Sequence, residues 1–414
     1  MKKRFKYILY ILIAISGSAC KTPYTPTPIT ATSNYLVVEG LININDSTFI
    51  NLSRTVGVMS TSTTKPELKA TITIESNQGG TNYPLKEVGN GVYSAPSYNL
   101  STANQYRLRI KTANNNTYLS DFVEAKVTPP IDSIIRDMQP DGLHVSVNVH
   151  NSQNTTRYYR WDFTETWQFA SYFQSFATAE GAAVSPATMS PLYPGRALTV
   201  LPRTNDIYHC WGNNPSHLIT LNTTAGLSQD IIQGQPITFV ASSSEKLSIR
   251  YSIIIRQYAL TPDAYAYWTL LKKNTEQLGS VFDSQPSASI GNIHNINKPA
   301  EVVIGFISTS TISQTRIYMN YTDLPKSYVA DYLNNTPYNK YTCVLDGHAV
   351  YAPMTEGYGE YDFYIYGYPH ALEIPIKIIS PFNPLTLAGA ATGAIPVCVD
   401  CTLRGTNVKP AFWQ

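Results

Sequence analysis

Side chains able to do chemistry are few in this chain and widely spread. The carboxyl most suggestive of general acid work is Glu165, in the run Trp161-Asp-Phe-Thr-Glu165-Thr-Trp167. Aromatic surroundings disfavour a carboxylate's charged form and raise its pKa, the state a proton donor needs. Hydrolysis by paired carboxyls wants a partner, and Asp162 is the local one. On a strand, residues three apart point to opposite faces, so these two predict structural hydrogen bonding rather than a shared site. The histidines His144, His150, His209, His217, His294, His348 and His370 are scattered. His209 and His217 flank Cys210-Trp211 at a spacing unlike that of metal ligands. There is no Gly-x-Ser-x-Gly elbow, His-Glu-x-x-His, phosphate-cradling loop or Gly-x-Gly-x-x-Gly. The expectation is no catalytic residue, no metal and no cofactor.

Cysteines carry the next signal. Cys20 ends a basic start, Met1-Lys-Lys-Arg-Phe-Lys6, an apolar stretch from Tyr7 to Ser16, and Gly17-Ser18-Ala19. That is the layout of a secretion signal over residues 1–19 whose cleavage leaves Cys20 first and acylated, by palmitate or a similar chain. The stretch falls well short of the roughly 20 apolar residues that span a bilayer. Two or three acyl chains give stable anchoring at about 0.8 kcal/mol per buried methylene. The other four, Cys210, Cys343, Cys398 and Cys401, are an even number in an exported chain and predict disulfides. Zinc would want a second close pair beside Cys398-Val-Asp-Cys401, and a redox pair would want a helix start without the preceding Pro396. Three connectivities are open, with bridges that staple the C-terminal tail favoured over a strained 398–401 loop.

A contact surface is suggested by Gly357-Tyr-Gly-Glu-Tyr-Asp-Phe-Tyr364-Ile-Tyr366-Gly-Tyr368. On a strand, Tyr364, Tyr366 and Tyr368 share one face and form a possible binding row for sugars, peptides or a protein partner. The competing reading is that these rings are core.

The elements that must position such residues are mostly β. Residues 20–33, rich in Pro and Thr, predict an extended tether. Tyr35–Ile42, Phe49–Ser53, Ala70–Glu75 and Tyr106–Thr112 alternate, with turns at Gln78-Gly-Gly80 and Gly89-Asn-Gly91. These predict an Ig-like or transthyretin-like β-sandwich over residues 34–128, ending at Val127-Thr-Pro-Pro-Ile131. Residues 131–414 predict a larger β-rich domain with one or two helices. The clear helix runs near 262–278: Thr261 caps it, Pro262 and Asp263 suit its first turn, and Ala264, Trp268, Leu271 and Leu278 form its apolar stripe before Gly279. A second, short helix is expected near Pro325–Leu333.

Bulk charge narrows the partners. The full chain of 414 residues carries net charge +2, but loss of Lys2, Lys3, Arg4 and Lys6 with the signal leaves 26 basic against 28 acidic residues, a net of −2. This argues against nucleic acid and anionic lipid surfaces. Charged residues are only 14% while tyrosines number 30, a balance suited to exported β proteins and binding faces.

Several of these pieces occur together in order. They are the signal with Cys20, Leu36-Val-Val-Glu-Gly40, Pro129-Pro-Ile-Asp-Ser-Ile134, Glu165-Thr-Trp167 and Cys210-Trp211. Gln257-Tyr258 before the Tyr265–Trp268 helix, Gly291-Asn-Ile293, Cys398-Val-Asp-Cys401 and Phe412-Trp413 complete the set. In this the whole chain resembles a Bacteroidota lipoprotein family known as domain of unknown function 4249. The resemblance implies an outer-membrane lipoprotein, often encoded beside a TonB-dependent transporter, with no established activity to carry over. Acidic residues after the lipidated cysteine can direct surface export in that phylum; Lys21-Thr-Pro-Tyr-Thr25 has none, which leaves the periplasmic and extracellular faces both open. The expected function is a non-enzymatic accessory or ligand-capture partner of a TonB-dependent transporter. A structural or adhesive envelope protein is the alternative, and a hydrolase built around Glu165 comes third.

Overall fold

The protein was analysed as a computed structural model, which describes residues 34–57, 65–183, 196–276, 291–328, 343, 346–349, 374–383 and 388–414. Cys20, the 20–33 tether and the Tyr364, Tyr366, Tyr368 row lie outside the described residues. The chain is mostly β with few helices, as expected.

The first layer is a curled, mostly antiparallel sheet. Its spatial order runs from Ile293–Asn295 through Thr117–Ser120, Gln105–Lys111, Thr71–Ser76, Asn82–Gly89, Val92–Ala95 and Thr48–Arg54 to Leu36–Asn43 and Val303–Ile304. Strand Asn82–Gly89 makes the corner: its start pairs with Ile72–Glu75 and its end with Val92–Ser94. The two halves close on one core. Strand Gln105–Lys111 alternates strictly, burying Tyr106, Leu108 and Ile110 against Leu36, Val38, Ile50 and Leu52. Each such side chain contributes roughly 1.5–3 kcal/mol by leaving water.

This layer is not built from residues 34–128 alone. Val303–Ile304 and Ser308–Ser310 pair in parallel with strand Leu36–Asn43, and Ile293–Asn295 pairs with Thr117–Ser120. Gly305 makes the approach possible. It has φ of +130°, and a Cβ there would sit 2.0 Å from the Val38 carbonyl oxygen. The segment around Thr128 is pinned rather than loose. Thr128 donates its N–H to Thr311 Oγ1 at 2.8 Å, and its hydroxyl accepts the Ala259 N–H at 3.0 Å.

The second layer is two facing sheets. Ser133–Gln139, Gly142–His150 and Ile231–Ala241 form one. The other has His209–Pro215, Tyr158–Ala170, Arg250–Ala259 and Ile312–Asn320 in spatial order, with Thr220–Thr223 also on Tyr158–Ala170. Between them lie Leu143, Val145, Val147, Tyr159, Trp161, Ile253, Ile255 and Met319. Helix Pro262–Glu276 follows Arg250–Ala259 directly, and Thr261 Oγ1 accepts the Ala264 N–H at 3.3 Å, the expected cap. Ala264 is buried as expected, but the other buried side chain is Tyr267; Trp268 and Leu271 are half-buried, and Leu278 lies outside the described residues. Of the second expected helix, residues 326–328 are helical and the remainder lies outside the described residues.

The C-terminal strands Asp346–Ala349, Ile374–Asn383 and Ala388–Ala394 form a small sheet. Disulfides Cys210–Cys401 and Cys343–Cys398 fasten the tail to it and to the five-stranded sheet, with Cα separations of 5.7 and 5.6 Å. The staple topology is thus the one present, and the 398–401 loop is not.

Candidate functional site

Where the two layers meet, a cleft of about 510 Å³ opens. One wall is strand Leu36–Asn43 with Phe49, whose ring is 58% exposed. The other wall combines the five-stranded sheet, through Arg160, Tyr258 and Ile312, with the helix, through Tyr267, Trp268 and Leu271. Helical spacing explains the second group, since residues three or four apart share a face. Phe306, on the segment admitted by Gly305, closes the end, its ring 5.3 Å from that of Tyr267. Burial pushes the Tyr267 hydroxyl up from its usual range, and the Glu39 carboxylate adds to this.

Arg160 is the central polar group. Its guanidinium lies between two rings, 4.3 Å from the Tyr258 centroid and 4.4 Å from that of Trp268. Stacking of this kind is worth about 0.5–2 kcal/mol and holds a long side chain in one place. Arg160 reaches Asp162 at 3.6 Å, while its buried Nε has no hydrogen-bond partner among the described residues. Asp162 is shared further: it accepts from Arg256 Nε at 2.6 Å and from the Tyr258 hydroxyl at 2.7 Å. Burial, with the Asp162 charge second, raises the Tyr258 pKa strongly, so the phenol is a neutral donor. Burial opposes the Arg256 charge, but Asp162 outweighs it and the pKa rises.

Glu165 points the other way, into the core, and is 2% exposed. Its carboxylate accepts from Lys246 Nζ at 2.5 Å, from the Tyr251 hydroxyl at 2.7 Å and from Asn214 Nδ2 at 3.1 Å. Lys246 also lies 5.3 Å from the Trp167 ring centroid. Burial, then the Glu165 charge, pushes Tyr251 far up. The carboxylate is enclosed and ion-paired, and it is not among the residues that line the inter-layer cleft. Register confirms the geometry: Asp162 sits opposite Arg256 and Glu165 opposite Ile253, on alternate faces.

Among the described residues no group of three or more His, Cys, Asp or Glu is arranged to hold a metal. His144, His150 and His209 each face a nearby aspartate, Asp141, Asp132 and Asp206 respectively. The arrangement of the cleft can hold a ligand by ring contact and by a guanidinium. Sequence reasoning missed Arg160, Arg256 and Phe306 as site residues, and it read Trp268 as core. A faint signal existed in the charges at Arg160 and Asp162, alternating with Tyr159, Trp161 and Phe163 along one strand.

One solved structure, titled "Complete structure of manganese lipoxygenase of Gaeumannomyces graminis and partial structure of zonadhesin of Komagataella pastoris", is similar at 8% identity. The likeness covers 57% of this chain and 91% of that one with a TM-score of 0.17, too low to carry an argument. No curated protein matches. A family model matches residues 21–316, a span that includes both layers and every residue of the cleft from Val37 to Ile312. The chain belongs to that family, described as a domain of unknown function (DUF4249).

Proposed function

We propose that the protein is an outer-membrane lipoprotein of a Bacteroidota envelope, anchored through acyl chains on Cys20. It acts without catalysis, as a ligand-capture partner of a TonB-dependent β-barrel transporter. The observation that carries this reading is the chemistry of the cleft. Its described lining offers the rings of Tyr258, Tyr267, Trp268 and Phe306 and the guanidinium of Arg160; Glu39 is its one carboxylate, and it includes no His or Cys. Sites of this kind bind by shape, ring contact and a few placed polar groups. The signal layout of residues 1–20 supports the anchor. The test is affinity purification of the natively expressed protein from detergent-solubilised outer membrane. Recovery of a large β-barrel transporter is expected, with Cys20→Ala releasing the protein from the membrane fraction. Recovery of the protein alone overturns the partnership.

A further inference from the structure

The outward face of the five-stranded sheet carries more positive charge than its own carboxylate can balance. Strand register sets Arg160 opposite Tyr258 and Asp162 opposite Arg256, then Arg256 opposite Gln314 and Ile254 opposite Arg316. Arg160, Asp162, Arg256, Tyr258 and Arg316 therefore share one face. Arg250, opposite Gln168 and Asn320, lies on this face too and donates to the Gln414 carbonyl oxygen, so among the described residues of these strands four guanidinium groups meet one side-chain carboxylate there. Asp162 is already divided between Arg256 and Arg160. Among the described residues Arg316 has no acidic partner: it donates to Ser252 Oγ at 3.0 Å and lies 3.7 Å from the Phe412 ring centroid. Burial, and then the Arg256 charge, holds its pKa below the usual arginine range. Like charges on one face repel, and among the described residues of these strands Asp162 is the one side-chain carboxylate that offsets them.

On this basis, and resting on the ligand-capture reading above, we infer that this face binds an acidic oligosaccharide, with Arg160, Arg256 and Arg316 receiving its carboxylate or sulfate groups. A guanidinium fork fits a carboxylate through two parallel N–H donors. By strand spacing and rise, Arg160 and Arg316 lie roughly 16 Å apart, which suits a ligand with repeated acidic groups rather than one small anion. Aromatic side chains flank both ends, Trp268 at the cleft and Phe412, 41% exposed, at the tail. Such rings suit the apolar faces of sugar rings.

Binding to the full mature chain is measured by titration calorimetry with an oligogalacturonate, its carboxyl-reduced neutral counterpart, a sulfated oligosaccharide and an acidic peptide. The oligogalacturonate or the sulfated sugar is expected to bind at least tenfold tighter than the neutral sugar, and the two arms identify which anion is used. Affinity should fall as salt rises. Arg316→Gln, which breaks no ion pair, should weaken binding about tenfold with an unchanged melting temperature. Arg107→Gln, on the first layer and paired with Glu75, should leave binding unaltered. Equal binding of neutral and acidic sugars, no binding of either acidic sugar, or an Arg316→Gln variant with full affinity overturns the inference. Preference for the acidic peptide overturns it too, in favour of a peptide site. None of these outcomes depends on a transporter, so the partnership above can stand or fall separately.

Discussion

The two faces of the five-stranded sheet use the same strands and opposite rules. On the inner face, Trp161, Tyr251, Ile253 and Ile255 are buried, and the one carboxylate there, Glu165, is met by Lys246, Tyr251 and Asn214. On the outer face, alternate residues of the same strands give Arg160, Asp162, Arg250, Arg256 and Arg316, half-buried and unequal in charge. The inner face is complete without a partner. The outer face is what a chain keeps when the balancing group comes from elsewhere. Charge balance therefore separates structure from site more cleanly here than burial does.

The largest break in this contrast should come from Trp161→Ala. Trp161 is 1% exposed, donates Nε1 to Gln257 at 2.8 Å and stacks on Tyr159 at 5.7 Å. The loss should be about 3–5 kcal/mol, read by chemical denaturation. Glu165→Ala should follow at about 3 kcal/mol, because it strands the Lys246 charge and the Tyr251 hydroxyl. Glu165→Gln can still accept hydrogen bonds and should lose less. A stable Glu165→Gln protein that has lost a measured hydrolytic activity would revive the enzymatic alternative.

Alkaline pH offers a middle-sized test. Burial, then a neighbouring carboxylate, raises the pKa of Tyr251 on the inner face and of Tyr258 on the outer. Raised folded-state values mean the folded protein holds these protons longer than the unfolded chain, whose tyrosines titrate near 10. The contribution is complete below about pH 10 and is lost as pH climbs toward the folded values. Tyr251→Phe should cost stability at pH 7 and flatten the alkaline decline by one proton's worth of slope. Parallel declines in both proteins would contradict the assignment.

Much of the fold could be read from local pattern. Tyr106, Leu108 and Ile110 alternate because one side of their strand meets a core, and Thr261-Pro262-Asp263 opens a helix through capping chemistry that needs no tertiary information. The even cysteine count pointed to stapling of the tail, though not to which sulfurs join. The joining of Val303–Ile304 and Ser308–Ser310 to the first layer was not legible: strands of two or three residues have no period, and their parallel partner lies at the far end of the chain. The site was hidden for the same reason. Arg160, Arg256 and Arg316 come from three separate strands, and only register sets them on one face. Trp268 read as core because a helical stripe says which residues align, not what they face.

The smallest structural effect should have the most discriminating consequence for binding. Asp162→Asn keeps an acceptor for the Tyr258 hydroxyl and for Arg256 Nε, and the pairs it weakens are partly solvent-exposed. Stability should fall by only about 1 kcal/mol. The outer face of these strands would then carry four guanidinium groups, Arg250 included, with no side-chain carboxylate of its own. If an acidic ligand supplies the missing charge, its affinity should rise several-fold, with a steeper salt dependence. If Asp162 instead positions Arg160 and Arg256 to receive the ligand, affinity should fall while the melting temperature barely moves. An unchanged affinity would mean that charge on this face does not select the ligand, and the contrast between the two faces would reduce to burial alone.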